Sequence, residues 1–151
     1  MDAIDKQILR ILSENAEIPT TEISRAVNLS VPAVNKRIKK LKDEKTIRAF
    51  TILTGSEQVE KPILAFILVV LQYNQGVDDF MHFVETEKDI LECYAISGEY
   101  DYILKVCAGD IRSLEQKLLQ LKSLRGIAKS RTMLSLMEHK LSPTVLPDDA
   151  E

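Results

Sequence analysis

The chain has 151 residues, of which 45% are hydrophobic, and a formal net charge of −3 at pH 7; this suffices for one medium domain or two small ones. No window approaches the roughly 18 uninterrupted apolar residues of a membrane span, and the chain opens with Asp2, Asp5 and Lys6 rather than a basic-then-apolar leader. Transmembrane and secreted classes are therefore not expected. Cys93 and Cys107 lack metal-ligand spacing, which favours buried free thiols in a reducing cytoplasm over a disulfide.

The charge is divided unevenly along the chain. Residues 1–50 contain ten Lys/Arg and seven Asp/Glu, a net of +3, whereas residues 51–151 contain ten and sixteen, a net of −6. Only the first part has the sign that phosphates attract, so two units with different partners are predicted. The predicted domains are a helix-turn-helix DNA-binding domain (1–50), a linker (51–61), a dimerisation and effector-sensing domain (62–141) and a loose C-terminal tail (142–151).

The first predicted elements are two short helices. Apolar residues recur at i, i+4, i+7 and i+8 from Ile4, which predicts an amphipathic helix over residues 2–14. Residues 15–19 break this helix, because Pro19 cannot continue a helical hydrogen-bond ladder. Thr20 or Thr21 can then cap a short second helix.

A third helix is predicted after a tight connector. Ser30 is a good N-cap, and Pro32 is tolerated in the first turn because the amides there have no intrahelical partner. Val34, Ile38 and Leu41 lie at i, i+4 and i+7 and are predicted to face the core. A short helix, a tight turn and a basic helix form the arrangement that places one helix in the major groove of DNA.

The polar side of this third helix is predicted to contact DNA. Its lysines and arginine can neutralise phosphates, and Asn35, Lys36 or Arg37 can also reach base edges. Because Ile38 points inward, the stem of Arg37 is expected to pack at the core edge while its head reaches DNA. The charge run alone also fits a solvated helix face, and the spacing of the three helices favours DNA binding. The predicted DNA-binding residues are Ser30, Pro32, Ala33, Asn35, Lys36, Arg37, Lys39 and Lys40.

The remainder of the chain predicts a sheet with two helices. The predicted elements are a strand at 63–71, a helix at 76–87, strands at 90–97 and 101–108, a helix from Asp110 to Gly126 and a strand at 127–138. This order is the ferredoxin-like split βαβ arrangement. The predicted fold class is therefore α+β, a winged-type helix-turn-helix followed by a ferredoxin-like βαββαβ domain.

The first strand of this sheet is apolar in both registers. Right-handed crossovers place both helices on one face of the sheet, so the other face needs a separate cover. A second copy of the same sheet is the simplest cover, and a homodimer is therefore predicted. Dimerisation also suits a helix-turn-helix unit, because such units usually bind paired half-sites.

The hairpin between the second and third strands has two interpretations. As a plain turn, Gly98 supplies a positive φ and Asp101 bonds local amides. As a ligand site, its acidic groups hold the ammonium of an amino acid, and free backbone amides take the carboxylate. Tyr100 and Tyr102 then supply rings that cover an apolar side chain.

Several stretches together resemble the Lrp/AsnC family of feast/famine regulators over nearly the whole chain. They are residues 2–9, the pattern Leu29-Ser30, Val34, Arg37-Ile38, Leu41 and Ile47, the hairpin Gly98-Glu99-Tyr100-Asp101-Tyr102 and residues 126–132. The resemblance implies a specific DNA-binding regulator whose dimers associate into tetramers or octamers, with an amino acid or related metabolite as effector. It implies that the hairpin contacts the effector, with Ser130 and Thr132 as secondary contacts. Lys45 departs from the family, which commonly has a glycine there.

Two other function classes are alternatives to a DNA-binding regulator. Haem-pathway decarboxylases resemble the same two-domain architecture, so the fold does not exclude an enzyme. The only histidines, His82 and His139, have no carboxylate or cysteine partner at useful spacing, and we predict no catalytic residue, metal ligand or cofactor. The other alternative is a sensor or assembly module without DNA binding. The six basic residues from Lys36 to Lys45 argue against it.

Overall fold

The computed structural model describes residues 1–72 and 76–148 and divides the chain into two compact units. Unit 1 contains residues 1–53 together with the chain from Lys140 onwards, and unit 2 contains residues 54–139. The division lies inside the predicted linker. Within the described ranges, no helix is long and apolar enough to cross a membrane.

Unit 1 is built on three helices, α1 (Ala3–Glu14), α2 (Thr20–Ala26) and α3 (Val31–Asp43). Each contributes apolar side chains to one small core, as the periodicity predicted. The fully or almost fully buried members of that core are Ile8, Ile23, Val27, Val34 and Leu41.

The helix starts of unit 1 follow ordinary capping chemistry with one exception. Asp2 accepts a hydrogen bond from the amide of Asp5 at 2.9 Å, and Ser30 caps α3 as predicted by accepting from the amide of Ala33. The predicted threonine cap of α2 is wrong, because α2 begins directly after Pro19 and has no side-chain cap. The carbonyl of Pro19 accepts from the amides of Glu22 and Ile23 in the first turn of α2.

The end of α3 contains a strained residue. Lys45 adopts a φ of 56°, and its amide donates to the carbonyl of Lys42 at 2.9 Å, closing the helix with a left-handed residue that is not glycine. No strand follows within residues 44–62, so the structure differs from a winged-type unit in having no wing. A wing needs two extended segments bonded to each other, whereas Val59 and Lys61 donate back to Gly55 and Ser56 in local turns.

Unit 2 has the predicted βαββαβ order. Its elements are β1 (Ile63–Leu71), α4 (Val77–Thr86), β2 (Ile90–Ala95), β3 (Tyr102–Ala108), α5 (Ile111–Ser123) and β4 (Ile127–Leu134). The strands lie in the order β2-β3-β1-β4, and every neighbouring pair is antiparallel. This is the sheet of a ferredoxin-like fold.

The two faces of this sheet differ in cover. Alternate residues of the two central strands pack with Phe80, Leu114 and Leu121 from α4 and α5, so both helices lie on one face. The other register of β1 lies outside this buried core and is only partly buried. Its members are Leu64, Phe66, Leu68 and Val70, and we call this side the open face.

Strand β4 ends earlier than its sequence pattern suggests. The apolar run continues through Leu136 and Met137, but those side chains are 96% and 70% exposed. The partner strand begins only at Ile63, after a proline that has no amide to donate. The last bond of the ladder runs from the amide of Ser135 to the carbonyl of Leu64.

The C-terminal segment contains no helix or strand up to residue 148. It nonetheless contacts α1 within unit 1. Lys6 donates to the carbonyl of Asp148 at 2.9 Å, and Arg10 donates to the carbonyl of Pro147 at 3.4 Å. The segment that we predicted as a loose tail is thus irregular but held by α1.

Candidate functional site

The outward side of α3 carries the predicted DNA contacts. Val34 and Leu41 are buried and fix which side of the helix faces away from the core. Within the described residues, Lys36 and Lys39 have no ion-pair partner, and Lys40 lies 3.8 Å from Glu44 in a solvated pair that contributes little. Of the predicted residues, Ser30, Pro32, Asn35, Lys36, Lys39 and Lys40 are exposed, and Ala33 is partly exposed.

Arg37 differs from its lysine neighbours. Its Nη1 donates to Asp2 Oδ2 and to Asp5 Oδ1, both at 2.7 Å, and its side chain is 29% exposed. The hydrogen bonds to Asp2 and Asp5 raise the pKa of Arg37 further above its ordinary value. The amide of Asp5 and then the guanidinium hold the pKa of Asp2 below its ordinary value. The head that was expected to reach DNA therefore lies on the first turn of α1.

Asp101 occupies a structural position at the end of the sheet. Its Oδ2 accepts from the amide of Leu71 at 2.8 Å, and its own amide donates to the carbonyl of Val69 at 2.9 Å. Its carbonyl accepts from the amide of Ile96 at 2.8 Å. Asp101 thus joins the hairpin to the end of β1, and one carboxylate oxygen is already used.

The two tyrosines of the hairpin lie in different surroundings. The ring of Tyr102 lies 4.9 Å from that of Phe80, on the face that the helices cover. The ring of Tyr100 has the ammonium of Lys129 at 4.9 Å from its centroid. Gly98 has a φ of 118° and, like Glu99, is exposed. Tyr100 and Glu99 therefore lie outside the core, whereas Tyr102 packs against it.

The secondary effector candidates lie beside this hairpin. Ser130 pairs with Val69, which on its other side pairs with Tyr102, and Thr132 pairs with Ile67. The sheet therefore brings Asp101, Tyr102 and Ser130 together at the end of β1 while Glu99 stays at the hairpin tip. Lys129 was not identified from the sequence as a site residue. The sequence indicates it only by its place next to Ser130 in a strand, where successive side chains point to opposite faces of the sheet.

A second charged cluster lies where the linker meets the sheet, and sequence reasoning missed it as well. Asp89 Oδ2 accepts from the ammonium groups of Lys61 and Lys117, each at 2.7 Å, and Lys117 also lies 3.2 Å from Glu87. Burial opposes ionisation of Asp89, but the bonds from Lys117 and Lys61 outweigh it and lower its pKa. The cluster ties the segment before β1 to α5.

The cysteines carry no reactive chemistry. Cys93 and Cys107 are both free, as predicted. Burial raises the pKa of both thiols, and the charge of Asp89 raises that of Cys107 further. Thiols with raised pKa values stay protonated near neutral pH and are poor nucleophiles.

Comparisons with protein families match both units in chain order. The AsnC-type helix-turn-helix domain matches residues 1–42, and the Lrp/AsnC ligand binding domain matches residues 64–145. The HTH-type transcriptional regulator FL11 of Pyrococcus abyssi is 32% identical over 147 residues, which cover 97% of this chain and 96% of that protein. The leucine-responsive regulatory protein of Escherichia coli K12 is 32% identical over 148 residues, covering 94% and 88%.

Solved structures share the whole fold. A Neisseria meningitidis transcriptional regulator in complex with L-Met superposes with a TM-score of 0.91 at 29% identity, covering 96% of each chain. E. coli AsnC superposes with a TM-score of 0.86 at 22% identity, covering 97% of this chain and 99% of that one, which shows the shared fold alone. The family models match both units in the same order, and the matches to the relatives cover nearly their full length. The chain therefore belongs to the Lrp/AsnC family of helix-turn-helix transcriptional regulators.

Proposed function

We propose that this chain is a sequence-specific DNA-binding regulator whose DNA binding or oligomeric state responds to an amino acid or a related metabolite. The observation that carries the proposal is the exposed row of lysines on α3, in a unit whose total charge is positive. We infer action in the cytoplasm, where the two free thiols remain reduced.

The DNA-binding step uses the side of α3 that faces away from the core. Lys36, Lys39 and Lys40 neutralise phosphates, and Asn35 donates to and accepts from a base edge, as asparagine does at adenine. The first turn of α3, with Ser30, Pro32 and Ala33, approaches the groove most closely, because recognition helices contact bases through their N-terminal residues.

The chain acts as a homodimer built on the open face, and its dimers associate into tetramers or octamers. Partly buried apolar side chains along the length of β1 support this arrangement, since a monomer would leave them in contact with water. Lys105 pairs with Glu92 at 2.9 Å at the side of that face. A second sheet covering the apolar strip would bury it and leave this charged pair near the rim.

The effector binds beside the 98–102 hairpin. The Neisseria regulator was crystallised with L-Met, and we extend an amino-acid ligand to this chain. Glu99 and the unused oxygen of Asp101 hold the ammonium, and Lys129, beside Tyr100, takes the carboxylate. The proposed contacts are Gly98, Glu99, Tyr100, Asp101, Tyr102, Ser130 and Thr132, and binding there biases assembly by favouring one oligomeric state.

An enzymatic role is not part of the proposal. His82 and His139 are both exposed, and the described residues contain no group of three or more His, Cys, Asp or Glu that could hold a metal ion. The relatives are regulatory proteins by name, and FL11 is named as a transcriptional regulator. We therefore infer regulation rather than catalysis.

The proposal is tested by selecting bound duplexes from a randomised DNA pool with the purified chain. A regulator should enrich one motif, and binding to that motif should change when one of the twenty amino acids is added. Enrichment of no motif would contradict the DNA-binding claim, and a motif whose binding ignores every amino acid would contradict the sensing claim.

A further inference from the structure

Arg37 stands within the lysine-rich run of α3 but, unlike the exposed lysines, it is partly buried at the edge of the core. It follows Val34 by three residues and precedes Leu41 by four, and both of those side chains are buried. Residues three and four apart are neighbours on a helix surface, so Arg37 lies at the border between the core and the exposed lysines, with Val34 and Leu41 on one side and Lys40 on the other.

The partner of Arg37 is a buried carboxylate. Asp5 is 1% exposed, and among charged residues in the described part of the chain it is the one that is fully buried. Its Oδ1 lies 2.7 Å from Arg37 Nη1. Moving the guanidinium to a phosphate would leave this carboxylate buried without a cation, which is strongly unfavourable.

The same nitrogen also binds the N-cap of α1. Arg37 Nη1 lies 2.7 Å from Asp2 Oδ2, and Asp2 caps α1 through the amide of Asp5. Apolar packing between α1 and α3 has no preferred direction, whereas these hydrogen bonds do. The bonds thus fix the orientation of α3 relative to the start of α1.

The local charge also separates Arg37 from the phosphate contacts. The guanidinium of Arg37 faces two carboxylates, so the three side chains together have a net charge of about −1. They therefore add nothing to the attraction of phosphates. We propose that Arg37 is a positioning residue for DNA recognition, which holds α3 on Asp2 and Asp5 and contacts no phosphate or base. This inference rests on the proposed binding of DNA by α3.

The salt dependence of binding distinguishes a positioning residue from a phosphate contact. Affinity is measured for a duplex enriched by the wild-type chain and for a scrambled duplex, between about 50 and 200 mM salt. Lys36→Ala should reduce the salt slope by about 0.9, the value of one phosphate contact. Arg37→Ala should keep the wild-type slope and lose about tenfold in preference for the enriched duplex, the effect of about one lost base contact.

Asp5→Asn provides the opposing prediction. It raises the net charge by one unit, so electrostatics alone predicts tighter binding, whereas loss of positioning predicts the same drop in preference as Arg37→Ala. Should single variants fold poorly by circular dichroism, the pair Asp5→Leu with Arg37→Met removes both charges of the ion pair together. That double variant should keep the wild-type salt slope.

Two results would overturn the inference. A slope reduced by about 0.9 in Arg37→Ala or in the double variant would make Arg37 a phosphate contact. Asp5→Asn binding with undiminished preference would remove the positioning role. If Lys36→Ala also left the slope unchanged, the proposed function itself would fail, and the inference would fail with it.

Discussion

At the scale of single residues, Lys45 is a source of backbone strain. Its φ of 56° lies in the left-handed region. There the Cβ atom of a side chain comes too close to the backbone, whereas glycine has no Cβ atom and avoids this strain. Lys45→Gly should therefore raise the free energy of unfolding by about 0.5–1 kcal/mol, after the extra entropy of glycine in the unfolded chain. Urea denaturation, monitored by circular dichroism, measures this change in the free energy of unfolding. Lys39→Gly, inside α3, is the matched control and should lower stability by about 1 kcal/mol; a loss in both would contradict the account.

Asp101 has a structural and a proposed ligand-binding role, and two substitutions separate them. Asp101→Asn keeps an oxygen for the amide of Leu71 but removes the charge that would hold an ammonium. We expect it to retain the wild-type melting temperature and to lose the thermal shift caused by the effector. Asp101→Ala should in addition lower stability by about 1 kcal/mol.

The measurement is a thermal-shift screen of the twenty amino acids against wild type and both variants. Glu85→Gln, exposed on α4, is the control for loss of one negative charge in unit 2. If the same amino acid shifts wild type and Asp101→Asn equally, Asp101 is only a structural residue of the turn.

At the scale of helices and strands, the sequence predicted most of the fold because both units bury one side of each element. Periodicity located α1, α3 and β1 from their apolar spacing. It failed where an outcome depends on a neighbour distant in sequence. The apolar run after Leu134 continues the strand pattern, but β1 begins only two residues before Ala65, the partner of Leu134, so little of β1 is left to pair with that run.

The same limit explains what was missed in the candidate sites. Arg37 belongs to a basic run, yet its partners lie more than thirty residues earlier, at the start of α1. Asp89 lies 28 residues from Lys61 and the same number from Lys117, and no short motif links the three. Composition shows that such charges exist, whereas only the packed elements show which of them meet.

The cluster around Asp89 predicts how unit 2 responds to acid. Its pKa lies below the ordinary value of 3.8, so the ionised form stabilises the fold above that pH, and the contribution is lost as the pH falls through the lowered pKa. Lys117, whose pKa is raised above 10.5, stays charged throughout this range. Asp89→Asn should destabilise the chain by about 2 kcal/mol at neutral pH, because two lysines lose a largely buried partner.

Thermal unfolding between neutral pH and strongly acidic pH tests this expectation. The difference between wild type and Asp89→Asn should shrink as the pH falls, and the exposed Glu115→Gln in α5 should behave as wild type at neutral pH. A constant difference over the whole range would mean that the Asp89 charge does not stabilise the fold.

At the scale of the whole molecule, two adjacent residues of β1 distinguish folding from assembly. Ile67 is 2% exposed beneath the helices, whereas Phe66 is partly buried on the open face. Ile67→Asp places an unpaired charge in the core and should prevent stable folding. Phe66→Asp should leave the secondary structure intact and produce monomers. Light scattering with circular dichroism measures both; a Phe66→Asp chain that stays dimeric, or a monomeric wild type, would contradict a dimer on this face.

The account depends most on DNA binding by the lysine row of α3, and the salt dependence of affinity for a selected duplex tests that directly. Lys36 and Lys39 are exposed and, within the described residues, have no ion-pair partner, so each is available to a phosphate. Replacing both with alanine should weaken binding and reduce the slope of log affinity against log salt by about 1.8, or about 0.9 for each contact. An unchanged affinity and slope would show that α3 does not lie against DNA.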